Sequence, residues 1–268
     1  MPGKYLYISI KSMEYGIPSS AIDIVEPNIR LQFDIAFKDE VAKKCLDKLR
    51  RHSEVNARHC QGVAWIMGAM VLGTEYGQNL PPNLVDDVLV AGGIHDIGKR
   101  HIKPEILETN LPLTEVEWEL IRLHPFAGYV EVQSDFANRP IIPRLILEHH
   151  SLQANNYPSD LLIAELAPIE VSSEHEIFNF CKYAIAIADQ SEARAPIRQH
   201  SSHAYRKRNG SVGDIMQSIS NELGANLPNR NMSEKVFKQL IAIAEQVLLK
   251  TIEYYKNIEP ARTEIATV

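Results

Sequence analysis

From residue 39 onward, apolar side chains recur at intervals of three and four, the period of helices with one buried face. Between Glu54 and Leu72, Val63, Ile66, Met67, Met70 and Val71 mark such a face, and His59 extends it one turn earlier. Pro81, Pro82 and Asn83 open a second helix that turns Val85, Val88, Leu89, Gly92 and His95 inward. TEVEWELIRLHP carries Thr114 with Glu117 three residues on, the spacing of a capping box, and predicts a helix that runs to His124 and is stopped by Pro125. The apolar run IIPRLILEHH ends on His149 and His150. IFNFCKYAIAIAD sets Ile177, Phe180, Cys181, Ala184, Ile185 and Ala188 in one stripe that closes on Asp189. Two amphipathic helices near 212–224 and 233–256, separated by turn residues over Leu227 to Asn231, complete the chain.

Residues 1–38 read differently. KYLYISIKS is aromatic and β-branched and predicts one or two strands before a Gly-Pro-Ser turn region. The expected architecture is therefore an all-α helical bundle over 39–268, including two C-terminal helices, with a short β-containing N-terminal segment that caps the core or mediates a homodimer.

Composition narrows the class. Apolar residues make up 45% and charged residues 23%, as in an ordinary globular protein. A net charge of -6 argues against a general binder of nucleic acid or anionic membrane. No apolar run approaches the roughly 20 residues that span a bilayer, and YLYISI is too short for a signal-peptide core. Cys45, Cys60 and Cys181 form no CxxC pair, which fits buried thiols in a reducing compartment, with the cytoplasm as the default.

The chemistry lies where the apolar faces end. His59, His95 with Asp96, His149 with His150, and Asp189 stand in line with the core on four helices, and His124 closes a fifth. A carboxylate or an unpaired imidazole facing a core is costly unless something satisfies it. One such histidine is ordinarily a hydrogen-bonded core residue; seven such groups on five helices call for a shared partner, and a metal centre supplies one. Imidazole with carboxylate and no thiolate suits iron, manganese, zinc or nickel. Five histidines and two aspartates exceed the needs of one ion. Two divalent ions about 3.5–4 Å apart, bridged by a carboxylate, would use them all. Asp96 is the natural bridge. Lys99, four residues after His95, falls on the same face of a continuing helix turn and is placed to contact a phosphate; on its own it would read as a surface lysine after Gly98.

The ordered set His59, His95-Asp96, Lys99, His124, His149-His150 and Asp189, with HDIGK, IKPEIL and PLTEVEWELIRLHP, resembles the HD-GYP branch of the HD superfamily of metal-dependent phosphohydrolases over roughly residues 45–205. The resemblance implies a helical fold, a centre of two or three metals often containing iron or manganese, and hydrolysis of cyclic di-GMP. It carries over His59, His95, Asp96, His124, His149, His150 and Asp189 as metal ligands, with Asp96 and Lys99 as the catalytic pair and Lys99 on the scissile phosphate. Three-metal members have a glutamate one turn before the first histidine; Val55 stands there, so two metals are expected. After the paired histidines the family has Glu, two variable residues and Asp-Gly-x-Gly-Tyr-Pro, whereas Ser-Leu-Gln-Ala-Asn-Asn precedes Tyr157-Pro158 here. That loop helps shape the substrate cleft, so its loss of glycine bears on the substrate and not on the metals. Tyr157 and Arg198 are the expected substrate contacts; Arg194 and the Arg206–Arg208 cluster are alternatives to Arg198. His52, His101, His175, His200 and His203 fall outside the ligand pattern, and Trp65 and Trp118 read as core.

The leading expectation is a metal-dependent phosphodiesterase that hydrolyses a cyclic dinucleotide, cyclic di-GMP or 3′,3′-cyclic GMP-AMP, through a metal-activated water. A nucleotidase or phosphomonoesterase on the same centre is the second reading, and a non-catalytic nucleotide-binding or interaction protein the third. The expected partner is a small-molecule nucleotide rather than nucleic acid or membrane.

Overall fold

A computed structural model describes residues 32, 34–109, 111–166, 172–195, 210–225, 227 and 232–265, with backbone alone over 172–175 and 253–265. The expected strand in KYLYISIKS lies outside these residues. Among the described residues all regular structure is helical and no strand occurs, so the all-α bundle holds. Ala36 and Phe37, at the end of the N-terminal segment, are buried in the core, where Phe37 packs against Gly93.

Local chemistry sets the helix starts. The Asp39 carboxylate accepts from the backbone amides of Val41 and Ala42 at 2.9 Å and opens α1 (Glu40–His52). Ser53 caps α2 (Glu54–Gly73) through the Asn56 amide. After the single turn α3 (Glu75–Gln78), Pro82 occupies the first turn of α4 (Pro82–Ile94). A 3-10 turn over Ile97–His101 and the short α5 (Pro104–Leu107) follow. Thr114 and Glu117 form the expected capping box at the start of α6 (Glu115–Arg122). Then come α7 (His124–Val132), α8 (Ile141–Glu148), α9 (Asp160–Leu166), α10 (Ser172–Arg194), α11 (Val212–Gly224) and α12 (Glu234–Ile265).

The centre of the bundle is α2. It packs most extensively on α4 and next on α10, with α1 and α12 against its remaining sides. A single buried face was expected for it, yet Ala57, Cys60, Val63, Ala64, Trp65, Met67, Ala69 and Val71 are all buried. Neighbours on several sides turn an amphipathic pattern into an almost wholly internal helix.

The boundaries depart from sequence expectation at three points. Pro125 does not merely stop a helix: α6 ends at Arg122, and Pro125 sits in the first turn of α7, which His124 opens. Proline lacks only an amide hydrogen that a first turn leaves unpaired anyway. After α4 the chain tightens into the 3-10 turn instead of continuing as α-helix. Asp189 does not close its helix, because α10 runs on to Arg194. Trp65 is core as expected, but Trp118 is 36% exposed, because α6 buries none of its residues.

The 3-10 turn and α7 meet backbone to backbone. A Cβ on Gly98 would lie 2.0 Å from the His124 carbonyl oxygen and 2.6 Å from the Gly128 nitrogen, neither of which can rotate away. Gly98→Ala is therefore expected to cost about 1–3 kcal/mol and lower the melting temperature by about 2–4 °C per kcal/mol, as read by thermal denaturation. A melting curve matching the unmodified protein would refute the contact.

Candidate metal centre

All seven expected ligands converge. His59 lies in the second turn of α2; His95 caps α4 and Asp96 enters the 3-10 turn; His124 opens α7; His149 caps α8 with His150 beside it; Asp189 comes from α10. None is more than 5% exposed. Two donor groups form, His59 with His95 and Asp96, and His124 with His149 and His150, the ligand atoms within each group lying within 4.8 Å of one another.

Asp96 joins the two groups. Its Oδ2 lies 3.5 Å from His95 Nε2 and 3.6 Å from His59 Nε2, while its Oδ1 lies 3.0 Å from His124 Nε2 and 3.9 Å from His149 Nε2. Asp189 repeats the pattern less closely: Oδ1 is 2.9 Å from His59 Nε2 and 3.7 Å from His95 Nε2, and Oδ2 is 3.7 Å from His150 Nδ1.

The hydrogen positions decide whether these groups suit a cation. Nδ1 of His95, His124 and His149 faces the carbonyl oxygens of Gly92, Ile121 and Ile146 at 2.8, 2.6 and 2.7 Å. A carbonyl can only accept, so each neutral ring carries its hydrogen on Nδ1 and turns a lone pair on Nε2 inward. His124 Nε2 and His149 Nε2 then face each other at 3.0 Å as two acceptors. His95 Nε2 and Asp96 Oδ1 are buried and make no hydrogen bond. Acceptors crowded together in a core without a donor are a cost that a divalent cation removes, so the residues fit a metal centre.

The protonation tendencies agree. Burial drives His149 well below the usual imidazole range, helped by the neighbouring His150, His95 and His124 rings. Burial lowers His124 despite Asp96, and takes His150 down to about 3. Burial alone would raise the two aspartates, but Lys99 and His95 hold Asp96 well below the carboxylate range, and the His59 contact, with the nearby His95 ring, does so for Asp189. For His95 burial is outweighed by Asp96, which raises its pKa, a pull that a cation would replace.

Residues 56–179 match the family model described as the HD domain. Over these residues the chain is similar to the HD domain. Over 117 residues it is 30% identical to the cyclic di-GMP phosphodiesterase PA4108 of Pseudomonas aeruginosa, a match covering 43% of this chain and 27% of that protein. The chain thus matches about a quarter of that relative's length. The HD domain of the L. monocytogenes phosphodiesterase PgpH, solved in complex with cyclic-di-AMP, superimposes with a TM-score of 0.52 at 17% identity, covering 79% of this chain and 97% of that one. A second structure of the same PgpH domain gives 0.51. At that identity the likeness is one of fold.

Lys99 reaches the centre by a different route from the one expected. The 3-10 turn brings its Nζ 2.5 Å from Asp96 Oδ2, three residues back, so the ammonium lies on that carboxylate. Tyr157 packs its ring on His150 with centroids 4.5 Å apart and approaches His124 at 6.1 Å. Arg198 and the Arg206–Arg208 cluster lie outside the described residues. Arg194 pairs with Glu222 at 3.1 Å, and Glu222 also accepts from the Ala154 amide in the loop after His150. His52 and His101 stand apart from the centre, His52 on the Ile102 carbonyl and His101 on Glu131.

Sequence reasoning missed the residues behind the ligands. Glu192 contacts His59 Nδ1, and the Gln153 amide lies 2.6 Å from His150 Nδ1. The buried Lys182 ammonium sits 2.6 Å from Glu148, which precedes His149 and is also paired with Arg144, fixing α8 against α10. The signal for Glu192 was its spacing of three from Asp189, which places both on one helix face.

Two predictions follow from the donor set. Manganese(II) at a hundred times its Kd is expected to stabilise the protein by about 2.7 kcal/mol per ion, and a chelator to reverse the gain. Elemental analysis should find two ions per chain, and Asp96→Ala should lose the thermal shift; a shift that survives Asp96→Ala refutes the bridge. In chelator, stability should fall as pH drops below about 6.5, because unfolding lets His124, His149 and His150 take up protons that the folded chain excludes, outweighing the opposite contribution of His95. Denaturant midpoints flat from pH 7 to 5 would contradict this.

Proposed function

We propose that this chain is a metal-dependent phosphodiesterase of the HD-GYP type that hydrolyses a cyclic dinucleotide. One observation carries the reading: Asp96 offers one oxygen to each of two buried imidazole groups, the arrangement that a pair of divalent ions requires. The cyclic dinucleotides named for the Pseudomonas and Listeria proteins, cyclic di-GMP and cyclic-di-AMP, support the substrate class. The metals of choice are iron or manganese, as the resemblance to the HD-GYP branch implies, and the seven imidazole and carboxylate ligands are compatible with either. Residues 39–268 then form one phosphohydrolase domain. The setting is bacterial cytoplasmic signalling with a small nucleotide as partner; no described helix is long and apolar enough to cross a membrane.

Bound divalent ions supply Lewis acidity toward the phosphate and acidify water. The chain's own groups do the rest. His59, His95, His124, His149 and His150 hold the ions, and Asp96 and Asp189 supply the negative charge that balances them. Lys99, 18% exposed at the edge of the centre, stabilises the charge that gathers on the non-bridging phosphate oxygens as the 3′ oxygen leaves. Tyr157 walls the cleft on the His150 side and offers a ring face to the nucleotide. Arg198 takes a second phosphate contact.

The loop after His150 supports a second reading, a nucleotidase or phosphomonoesterase on the same centre. Gln153 lies on His150 and Ala154 on Glu222, so this glycine-free loop is held close to the ligands. The decisive experiment incubates protein loaded anaerobically with iron or manganese with cyclic di-GMP, 3′,3′-cyclic GMP-AMP and a panel of mononucleotides. Hydrolysis of a cyclic dinucleotide is expected, and Lys99→Ala should lower kcat by about 10²–10³ with metal content unchanged. Phosphate release from mononucleotides alone would move the assignment to the second reading, and turnover of nothing would sink both.

A further inference from the structure

Each ligand ring is fixed from behind, and one fixture differs in charge. His95, His124 and His149 are held by backbone carbonyls and His150 contacts the Gln153 amide. Behind His59 stands a carboxylate: Glu192 Oε2 lies on Nδ1, the nitrogen facing away from Asp96 and Asp189. Glu192 is one turn beyond Asp189 on α10, so a single helix grips His59 from both ends of its ring.

The opposing helix is cut to fit. A Cβ on Gly62, one turn after His59 on α2, would come within 2.8 Å of Glu192 Cγ and 3.1 Å of its Oε1. Glycine at 62 leaves the passage through which the Glu192 side chain reaches the ring. Glu192 is only 18% exposed, so its charge acts on His59 with little water between.

We propose that Glu192 is a positioning residue that holds His59 through Nδ1 and makes the His59–His95–Asp96 group the tighter of the two metal sites. This rests on the two-metal reading of the centre. A carboxylate behind an imidazole fixes the ring's orientation and makes Nε2 a stronger donor than a carbonyl does, and losing such a partner typically weakens metal binding by about 10–100-fold. In the other group Nδ1 of His124 and of His149 meets a backbone carbonyl and Nδ1 of His150 meets the Gln153 amide at 2.6 Å, with the Asp189 carboxylate no nearer to it than 3.7 Å.

The test is a manganese(II) titration of the full chain, followed by calorimetry and by electron paramagnetic resonance, with Glu192→Ala, Glu192→Gln and Gly62→Ala. Two binding events are expected for the unmodified protein. Glu192→Ala should weaken the first by about 10–100-fold and leave the second in place. Glu192→Gln keeps an acceptor without the charge and should fall between the two; it also serves if Glu192→Ala folds poorly. Gly62→Ala should weaken the first event as well. Unchanged affinities, equal weakening of both events, or Glu192→Gln no tighter than Glu192→Ala would each overturn the proposal. An unmodified protein that binds no manganese would overturn the two-metal reading and this inference with it. Selective weakening of the first event upholds the inference whether or not a cyclic dinucleotide is hydrolysed.

Discussion

The structure depends on one buried carboxylate. Asp96 is fully enclosed and held ionised, with Lys99 on one of its oxygens and imidazoles around both. A charge so placed is tolerated only when its partners are fixed in position, because desolvation costs several kcal/mol before any contact repays it. Much of the surrounding architecture supplies that fixity. The 3-10 turn brings Lys99 back to Asp96, Gly98 lets that turn rest on α7, and α7 delivers His124 to the opposite side of the carboxylate.

The rings around Asp96 are oriented by the helices that carry them. His95, His124 and His149 each return Nδ1 to a carbonyl three residues earlier, so the backbone selects the tautomer and points a lone pair inward. Helix ends expose such carbonyls, which explains why these histidines gather at the end of α4, the junction of α6 and α7, and the end of α8. His59 and Asp189 sit inside long helices, where neighbouring carbonyls are already paired, so side chains must orient them. The Glu148–Lys182 pair plays a similar part at one remove by locking α8 to α10 just before His149.

Much of this was legible in the chain. The Thr114–Glu117 box, the inward face of Val85, Val88, Leu89 and His95, and the convergence of seven buried histidines and aspartates were readable because each rests on local spacing or on the cost of burying a polar group. Other features were not. Pro125 has the same local character in a stop as in a first turn, and only the direction taken after Leu123 distinguishes them. Trp118 is apolar enough for a core, but no element packs over α6 to bury it. The many buried sides of α2 arise from neighbours far along the chain, which its own periodicity cannot report.

The sequence by itself determined the helical class, the caps and the inventory of candidate ligands, because helix period, capping and the penalty for inward-facing charge act within a few residues. Tertiary structure decided how those ligands are shared. It turned the two oxygens of Asp96 to opposite groups, brought Lys99 onto that carboxylate, laid Tyr157 on His150 and set Glu192 behind His59 through the gap at Gly62. Those relations join residues as far apart as positions 59 and 192, and only the packing of α2 against α10 brings them within reach.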